Sequence, residues 1–333
     1  MEKQDFGQGA TLYRLTNQQG MVLEVTDFGA RIVAIKLPLE NGELRNVTLT
    51  GTSKEEYEMK DPYVGASIVP VAGRISGAQT TIKDQLVHFT ENEPGRTLHS
   101  GVDTANEHIW QVATDDDTNH IIFSFELADD FNGFPGPVRV EAIYQLTDEN
   151  EVKISYKATS ERDTIFNSTN HVYFNLAGNP QATIAGHRFK IDAQQFASLG
   201  EDNMPIGRLE DVEGTPFDFR KQALVDQGLA LTHPQNQVVS GYDHPWLVNP
   251  LADYQVQVVS PDEQVRLKVK TNQPAVVIYT YNHGPTALAA QHGVFSLECQ
   301  ALPNAGNLPG FGSILLEKDN LFESHMIYQF DWK

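Results

Sequence analysis

Five residues in short polar motifs carry side chains that could exchange protons with a ligand and hold it in place. A histidine and a carboxylate can together deliver one proton and accept another, and each such positioned group typically contributes about 10²–10⁴-fold to a rate. Arginine offers a planar fork of donors, whereas aspartate accepts hydrogen bonds. The motifs are Gly73-Arg74-Ile75, Leu98-His99-Ser100-Gly101, Asn170-His171-Val172-Tyr173-Phe174-Asn175, Gly241-Tyr242-Asp243-His244 and Phe295-Ser296-Leu297-Glu298-Cys299-Gln300. The candidate site residues are therefore Arg74, His99, His171, Asp243 and Glu298.

Strand periodicity predicts which of these side chains share a face. Successive side chains of a strand point to opposite faces of its sheet. In the segment Phe295–Gln300, Glu298 then lies on a polar stripe with Ser296 and Gln300, and Cys299 points the other way as a buried, inert thiol. In Asn170–Asn175 the same rule groups His171 with Tyr173 and Asn175. Two such stripes could line one concave surface.

The rest of the chain predicts an all-β fold that positions these stripes. Apolar and polar residues alternate in five segments: 121–127, 138–146, 152–158, 265–269 and 326–332. Residues 148–151 indicate a hairpin turn, and Ser53–Met59 could form one or two turns of helix. No linker or repeat divides the sequence. We therefore predict one domain, residues 1–333, with antiparallel sheets packed face to face and few short helices.

Composition excludes several classes of partner. The formal net charge of −20 argues against nucleic acid, whose binding depends on clustered lysine and arginine. No apolar run approaches the roughly 20 residues that cross a bilayer, so no membrane association is expected. The first 20 residues lack a basic head followed by an apolar block, and Cys299 is the one cysteine. These features predict a cytoplasmic protein.

In order and spacing, the five motifs resemble those of the aldose 1-epimerases, the galactose mutarotase family. The resemblance spans Arg74 to Asn304 and implies a large antiparallel β super-sandwich with few short helices. It also implies interconversion of the α and β anomers of a reducing hexose such as galactose or glucose. By motif, Glu298 would be the general base and His171 the general acid, while Arg74, His99 and Asp243 would hold the sugar. The resemblance implies a small-molecule sugar as partner, no cofactor and no metal.

Mutarotation needs a proton removed from the C1 hydroxyl and another delivered to the ring oxygen, so that the ring opens and recloses. One ionised carboxylate and one protonated imidazole suffice. Because an opposite charge favours an ionised group, a nearby Asp243 would keep His171 charged, and we predict that His171 is protonated near neutral pH.

Four positions depart from the family pattern. Pro70 and Gly73 stand where many relatives carry an arginine and an asparagine, Ser100 replaces a frequent glycine, and Asn304 stands where aspartate is common. These changes raise the question of substrate: maltose or a hexose 6-phosphate are alternatives to a free hexose. A sugar-binding protein without turnover, and a glycosidase with Asp243 and Glu298 as its paired carboxylates, are two further hypotheses. The residues leave the preferred sugar and the oligomeric state open.

Overall fold

A computed structural model describes residues 1–115 and 119–333 of the chain. Strands dominate these residues, in agreement with the alternation of the sequence. The first half contains β1 (Glu2–Asp5), β2 (Thr11–Thr16), β3 (Val22–Thr26), β4 (Arg31–Pro38), β5 (Leu44–Asn46), α1 (Lys54–Lys60), β6 (Ser67–Ile68), β7 (Arg74–Ser76), β8 (Gln79–Ile82), β9 (Gln85–His88), β10 (Arg96–Leu98), a 3₁₀ turn (Ala105–Glu107), β11 (Gln111–Asp115), β12 (His120–Leu127), β13 (Val138–Leu146), β14 (Glu151–Ser160) and β15 (Thr164–Ile165). The second half contains β16 (Thr169–Asn170), β17 (Tyr173–Phe174), β18 (Arg188–Ile191), β19 (Ala193–Leu199), β20 (Pro205–Asp211), β21 (Ala223–Leu224), α2 (Asp226–Leu229), α3 (Pro234–Val239), β22 (Asp243–Val248), β23 (Val256–Val259), β24 (Val265–Thr271), β25 (Ala275–Tyr279), β26 (Phe295–Gln300), β27 (Leu315–Leu316) and β28 (Phe322–Trp332).

The described strands form three large antiparallel sheets and several two-stranded ribbons. The nine-stranded sheet has the order β11-β12-β13-β14-β28-β24-β23-β18-β21, and the six-stranded sheet has the order β17-β26-β25-β22-β19-β20. A five-stranded meander, β1 to β5, completes the set. The ribbons pair β7 with β10, β6 with β16, β8 with β9 and β15 with β27.

The main core is shared by the nine-stranded, six-stranded and five-stranded sheets. Alternate residues of β13 and β14, such as Tyr144 and Ile154, are fully buried in it. From the six-stranded sheet, β26 contributes Phe295, Leu297 and Cys299 to the same cluster. The opposite face of β26 is thereby turned away from this core, and it carries the polar stripe that contains Glu298.

Most of the predicted elements are confirmed. The alternating segments correspond to β12, β13, β14, β24 and β28, and β13 pairs with β14 as an antiparallel hairpin. The predicted helix is α1, which begins after Ser53; the Ser53 side chain accepts a hydrogen bond from the backbone N–H of Glu56 and so caps its first turn. Cys299 is fully buried, as strand geometry predicted.

The prediction of one continuous strand over Asn170–Asn175 is wrong in part. The segment is divided between β16, which pairs with β6, and β17, which pairs with β26. The Asn170 side chain accepts a hydrogen bond from the backbone N–H of Val172 at 3.1 Å, a local bond that competes with a strand ladder. His171 falls at the junction between the two short strands.

Candidate functional site

A cavity of about 390 Å³ opens on the polar face of the six-stranded sheet. All five residues predicted from the sequence line it, although they come from β7, β22, β26 and two connecting segments. The lining comprises Lys60, Asp61, Pro62, Tyr63, Gly73, Arg74, Glu93, Leu98, His99, His171, Tyr173, Leu199, Asn203, Pro205, Asp243, Pro245, Val277, Tyr279, Tyr281, His283, Thr286, Glu298, Gln300 and Pro303.

Glu298 is held on β26 in a nearly water-free position. The residue is 4% exposed, and its Oε1 accepts a hydrogen bond from the Ser296 hydroxyl at 2.9 Å. Burial raises the pKa of Glu298 to about 7, against the smaller opposing effects of Ser296 and the Arg74 charge. A carboxyl group with such a pKa is suited to general base catalysis near neutral pH.

His171 lies against Glu298, with its Nε2 3.4 Å from Oε1 of the carboxyl group. Its backbone is fixed on both sides, because its N–H donates to the Ala66 carbonyl and its carbonyl accepts from the Gly65 N–H. Burial lowers the pKa of His171, and the negative charges of Asp61 and Asp243 offset this effect only in part. The prediction that His171 is protonated at neutral pH is therefore wrong: desolvation outweighs its acidic neighbours, and the imidazole of the ligand-free site is neutral.

Tyr63, His99 and Tyr173 form an aromatic group around His171. The ring of His99 lies 5.3 Å from that of His171, in an edge-on arrangement, and 4.8 Å from that of Tyr63. Nδ1 of His99 accepts a hydrogen bond from the Gly73 N–H at 3.2 Å. Burial lowers the pKa of His99 well below its usual value, and the repulsion that a protonated His171 and the Arg74 guanidinium exert on a charged His99 acts in the same direction. His99 is thus a neutral imidazole that carries its proton on Nε2, and it can donate one hydrogen bond to a ligand.

Arg74 presents fewer free donors than the sequence suggested. Its Nε and Nη2 donate to the two carboxyl oxygens of Glu93 at 2.8 and 3.2 Å. The remaining Nη1 lies 3.7 Å from Oδ2 of Asp243. Glu93 therefore occupies one edge of the guanidinium fork, and Nη1 remains on the side of Asp243.

Asp243 begins β22 and faces the same cavity. Burial raises its pKa to about 7, the Arg74 charge opposes this shift, and the Glu298 charge adds to it. The neighbouring His244 is turned into the core, where its Nε2 lies 3.1 Å from the Gln235 side-chain oxygen. Asp243 is thus the member of this motif that a ligand can reach.

Three of the residues that depart from the family pattern determine the backbone conformation around the cavity. The Ser100 hydroxyl accepts from the Val71 N–H and donates to its carbonyl, and Asn304 accepts from the Ser76 N–H and hydroxyl. Gly73 has a φ of +79°, and a Cβ there would lie 2.9 Å from Pro303. A side chain at position 73 would therefore be strained by both the backbone and its neighbour.

Sequence reasoning missed the other two carboxyl groups of the cavity, Asp61 and Glu93. Asp61 follows α1, and burial raises its pKa. Glu93 comes shortly before the Leu98-His99 motif in the chain, and that proximity was the one available signal. By contrast, Asn175 was expected beside His171, but its amide donates to the backbone carbonyls of Asn179 and Gly293 instead.

Unpaired polar atoms are concentrated at the cavity. Among the described residues, seven buried side-chain nitrogen or oxygen atoms lack a hydrogen-bond partner. Four of the seven belong to cavity-lining residues: Nδ1 of His171, Oδ1 of Asn203 and both amide atoms of Gln300. Because buried polar groups are normally hydrogen-bonded, this clustering indicates a site that is completed by a polar ligand.

The described residues contain no group of three or more His, Cys, Asp or Glu side chains placed to hold a metal ion. None of their helices is long and apolar enough to span a bilayer.

The fold and the site together define a class of protein. A concave β-sheet face holds a buried imidazole–carboxylate pair, and the surrounding polar groups are either uncharged or paired with an opposite charge. Such a site is suited to proton transfer on a small polar molecule. The Aldose 1-epimerase family model matches residues 11–329. The chain is 33% identical to an aldose 1-epimerase of Escherichia coli over 91% of this chain and 89% of that one. It is 32% identical to a galactose mutarotase of Sus scrofa, over 89% and 86%.

Solved structures agree with these matches. A galactose 1-epimerase from Lactobacillus acidophilus superimposes with a TM-score of 0.88 at 27% identity, covering 99% of this chain and 98% of that one. A GalM/aldose epimerase homologue from C. elegans shares the fold with the same TM-score of 0.88. The chain belongs to the aldose 1-epimerase family and is an isomerase, and the predicted galactose mutarotase-like β super-sandwich is confirmed.

Proposed function

We propose that this protein interconverts the α and β anomers of a free reducing hexose, with Glu298 and His171 as the catalytic pair and Arg74, His99 and Asp243 as sugar-holding groups. The observation that carries the proposal is the 3.4 Å separation of His171 Nε2 and Glu298 Oε1, two buried side chains that line the cavity. The C1 hydroxyl and the ring oxygen are bonded to the same carbon, so an acid and a base this close can serve both atoms of one hemiacetal.

The total number of protons on His171 and Glu298 does not change over one catalytic cycle. Glu298 takes the proton of the C1 hydroxyl while His171 gives one to the ring oxygen; the C1–O5 bond breaks and the aldehyde forms. Rotation about C1–C2 and the reverse transfers close the ring with C1 inverted. The pair therefore holds one proton before and after the cycle. In the ligand-free site this proton resides on Glu298, and the short separation allows it to pass to His171.

Charge supports a neutral sugar rather than a phosphorylated one. The cavity lining holds four carboxyl groups against the two permanent cations Lys60 and Arg74. Both cations already have partners, because Lys60 pairs with Glu56 and Arg74 with Glu93. A phosphate would meet more carboxyl groups than permanent cations and no free permanent cation among these lining residues.

Polarimetry tests the activity. Freshly dissolved α-galactose, α-glucose and maltose should approach their equilibrium rotation faster with protein than without it, at a rate proportional to protein concentration. Methyl α-galactoside has no free C1 hydroxyl and is the control that should not change. Failure to accelerate any reducing aldose would overturn the proposal, whereas acceleration confined to hexose 6-phosphates would overturn the preference for neutral sugars.

The pH profile follows from the need for one proton on the pair. Above pH about 7 the pair loses this proton, because the pKa of Glu298 is raised to about 7. On the acid side, the pair gains a second proton when both Glu298 and His171 are protonated. Because burial lowers the pKa of His171, this happens only below the usual histidine pKa of about 6.5. We expect kcat/KM to form a bell whose basic limb falls about tenfold per unit above pH 7. A value of kcat/KM that continues to rise to pH 9 would contradict this assignment.

A further inference from the structure

The turn between β19 and β20 brings an asparagine to the rim of the cavity. Residues 200–204 are closed by two backbone hydrogen bonds, from the Gly200 N–H to the Met204 carbonyl at 2.8 Å and from the Asn203 N–H to the Gly200 carbonyl at 2.9 Å. Asn203 has a φ of +62°, in the left-handed region that asparagine tolerates better than most residues. The turn is thus a defined structure, and Asn203 lines the cavity.

A chain of ion pairs and one hydrogen bond connects this turn to Arg74, the arginine proposed to hold the sugar. Nη1 of Arg96 donates to the backbone carbonyl of Asp202. Nε of Arg96 donates to Oε2 of Glu93 at 2.6 Å, and the same Glu93 carboxyl group binds Arg74. The continuous path Arg74–Glu93–Arg96–Asp202 therefore fixes where Asn203 stands relative to Arg74.

The side chain of Asn203 differs from those of Asn150 and Asn304, two other asparagines in left-handed turns. Oδ1 of Asn150, with φ +61°, accepts from the Asn17 amide at 2.9 Å, and Oδ1 of Asn304, with φ +62°, accepts from the Ser76 N–H at 3.1 Å. Oδ1 of Asn203 is buried and accepts no hydrogen bond from the described part of the chain. A buried amide oxygen without a donor is unfavourable. Because Asn203 lines the cavity, a ligand bound there is the candidate for that donor.

We propose that Asn203 is a specificity-determining substrate contact that accepts a hydrogen bond from one hydroxyl of the sugar, and that Glu93 and Arg96 are positioning residues for it. The proposal rests on the proposed function, in that the ligand is a reducing aldose. It names a contact that stands apart from the proton-transferring pair. An aldose whose hydroxyl at this position is absent leaves the amide unpaired and binds less tightly.

The test combines a substitution with a set of monodeoxy sugars. Asn203→Gly removes the amide and retains the left-handed backbone, since glycine adopts positive φ freely. Binding of each sugar by calorimetry, and KM and kcat by polarimetry, are measured for both proteins. We expect the substitution to weaken binding of the parent hexose about tenfold, with kcat within about twofold, because a contact made equally in ground and transition states acts on KM. The one deoxy sugar that lacks the contacted hydroxyl should bind both proteins equally.

Matched variants separate this role from a structural one. Asn203→Asp keeps an acceptor oxygen and should retain the discrimination between parent and deoxy sugars. Asn150→Gly, in a hairpin turn outside the cavity, should leave KM unchanged. Unaltered binding of every sugar by Asn203→Gly, or an equal loss for parent and deoxy sugars alike, would overturn the proposal. Calorimetry does not require turnover, so binding without catalysis would reject the proposed function while still deciding the role of Asn203.

Discussion

Replacement of Glu298 by glutamine should lower kcat for a reducing hexose by about 10²–10⁴-fold. Glutamine matches the shape of glutamate and can still accept from the Ser296 hydroxyl, but it cannot take the proton of the C1 hydroxyl. The measurement is the protein-dependent rate of mutarotation by polarimetry or NMR, with sugar affinity determined in parallel. Affinity should change little, since the loss concerns a step made only in the transition state.

Glu298→Gln should also change the pH dependence of stability, and observing this change by thermal unfolding would show that the variant is folded. The pKa of Glu298 is raised in the folded protein, so wild-type stability falls as pH rises from about 4.5 to about 7, where the buried carboxyl group must ionise. The neutral glutamine avoids this loss. Above pH 7 the free energy of unfolding of the variant should exceed that of wild type by up to about 3 kcal/mol. The variant should therefore unfold at a higher temperature than wild type.

A second buried glutamate provides the control for Glu298→Gln. Glu24 is also 4% exposed, but it lies in the five-stranded sheet and pairs with Arg14 and Lys36. Glu24→Gln should lower stability through the loss of these ion pairs and leave kcat unchanged. If Glu298→Gln retained turnover within a factor of a few while Glu24→Gln lost it, the assignment of the base would be wrong.

Sequence patterns predicted those parts of the fold that depend on a single buried face. In β13, burial of one face forces a period of two. In β26, where both faces are buried, apolar residues on the core face alternate with polar residues on the other face, Glu298 included, so the pattern again indicated the strand and the orientation of its side chains. The segment around His171 was harder, because a hydrogen bond from the Val172 N–H to the Asn170 side chain interrupts the strand. Periodicity carries no information about such local side-chain bonds.

The electrostatics of the site could not be predicted in the same way. The direction of the His171 pKa shift depends on how far burial outweighs Asp61 and Asp243, and these groups meet only in the folded chain. Likewise, Glu93 limits the donors of Arg74 through a contact between the loop before β10 and the first residue of β7. Motifs identified which residues gather at the cavity; the three-dimensional arrangement determines their protonation and free donors.

Replacement of His171 by asparagine should also cost about 10²–10⁴-fold in kcat, because the ring oxygen then lacks its proton donor. The control is His325→Asn, an exposed position on β28, which should leave kcat unchanged.

The stronger test of His171 is the direction of the pH dependence. In wild type, kcat/KM should fall above pH 7 as the pair loses its one proton. Without His171, the residual reaction depends on ionised Glu298 alone, whose pKa is raised to about 7 mainly by burial rather than by the histidine. Residual activity should therefore rise through pH 7 and level off, the reverse of the wild-type slope. A variant whose basic limb still falls would show that another group supplies the proton, and His171 would then be a sugar-holding residue rather than the acid.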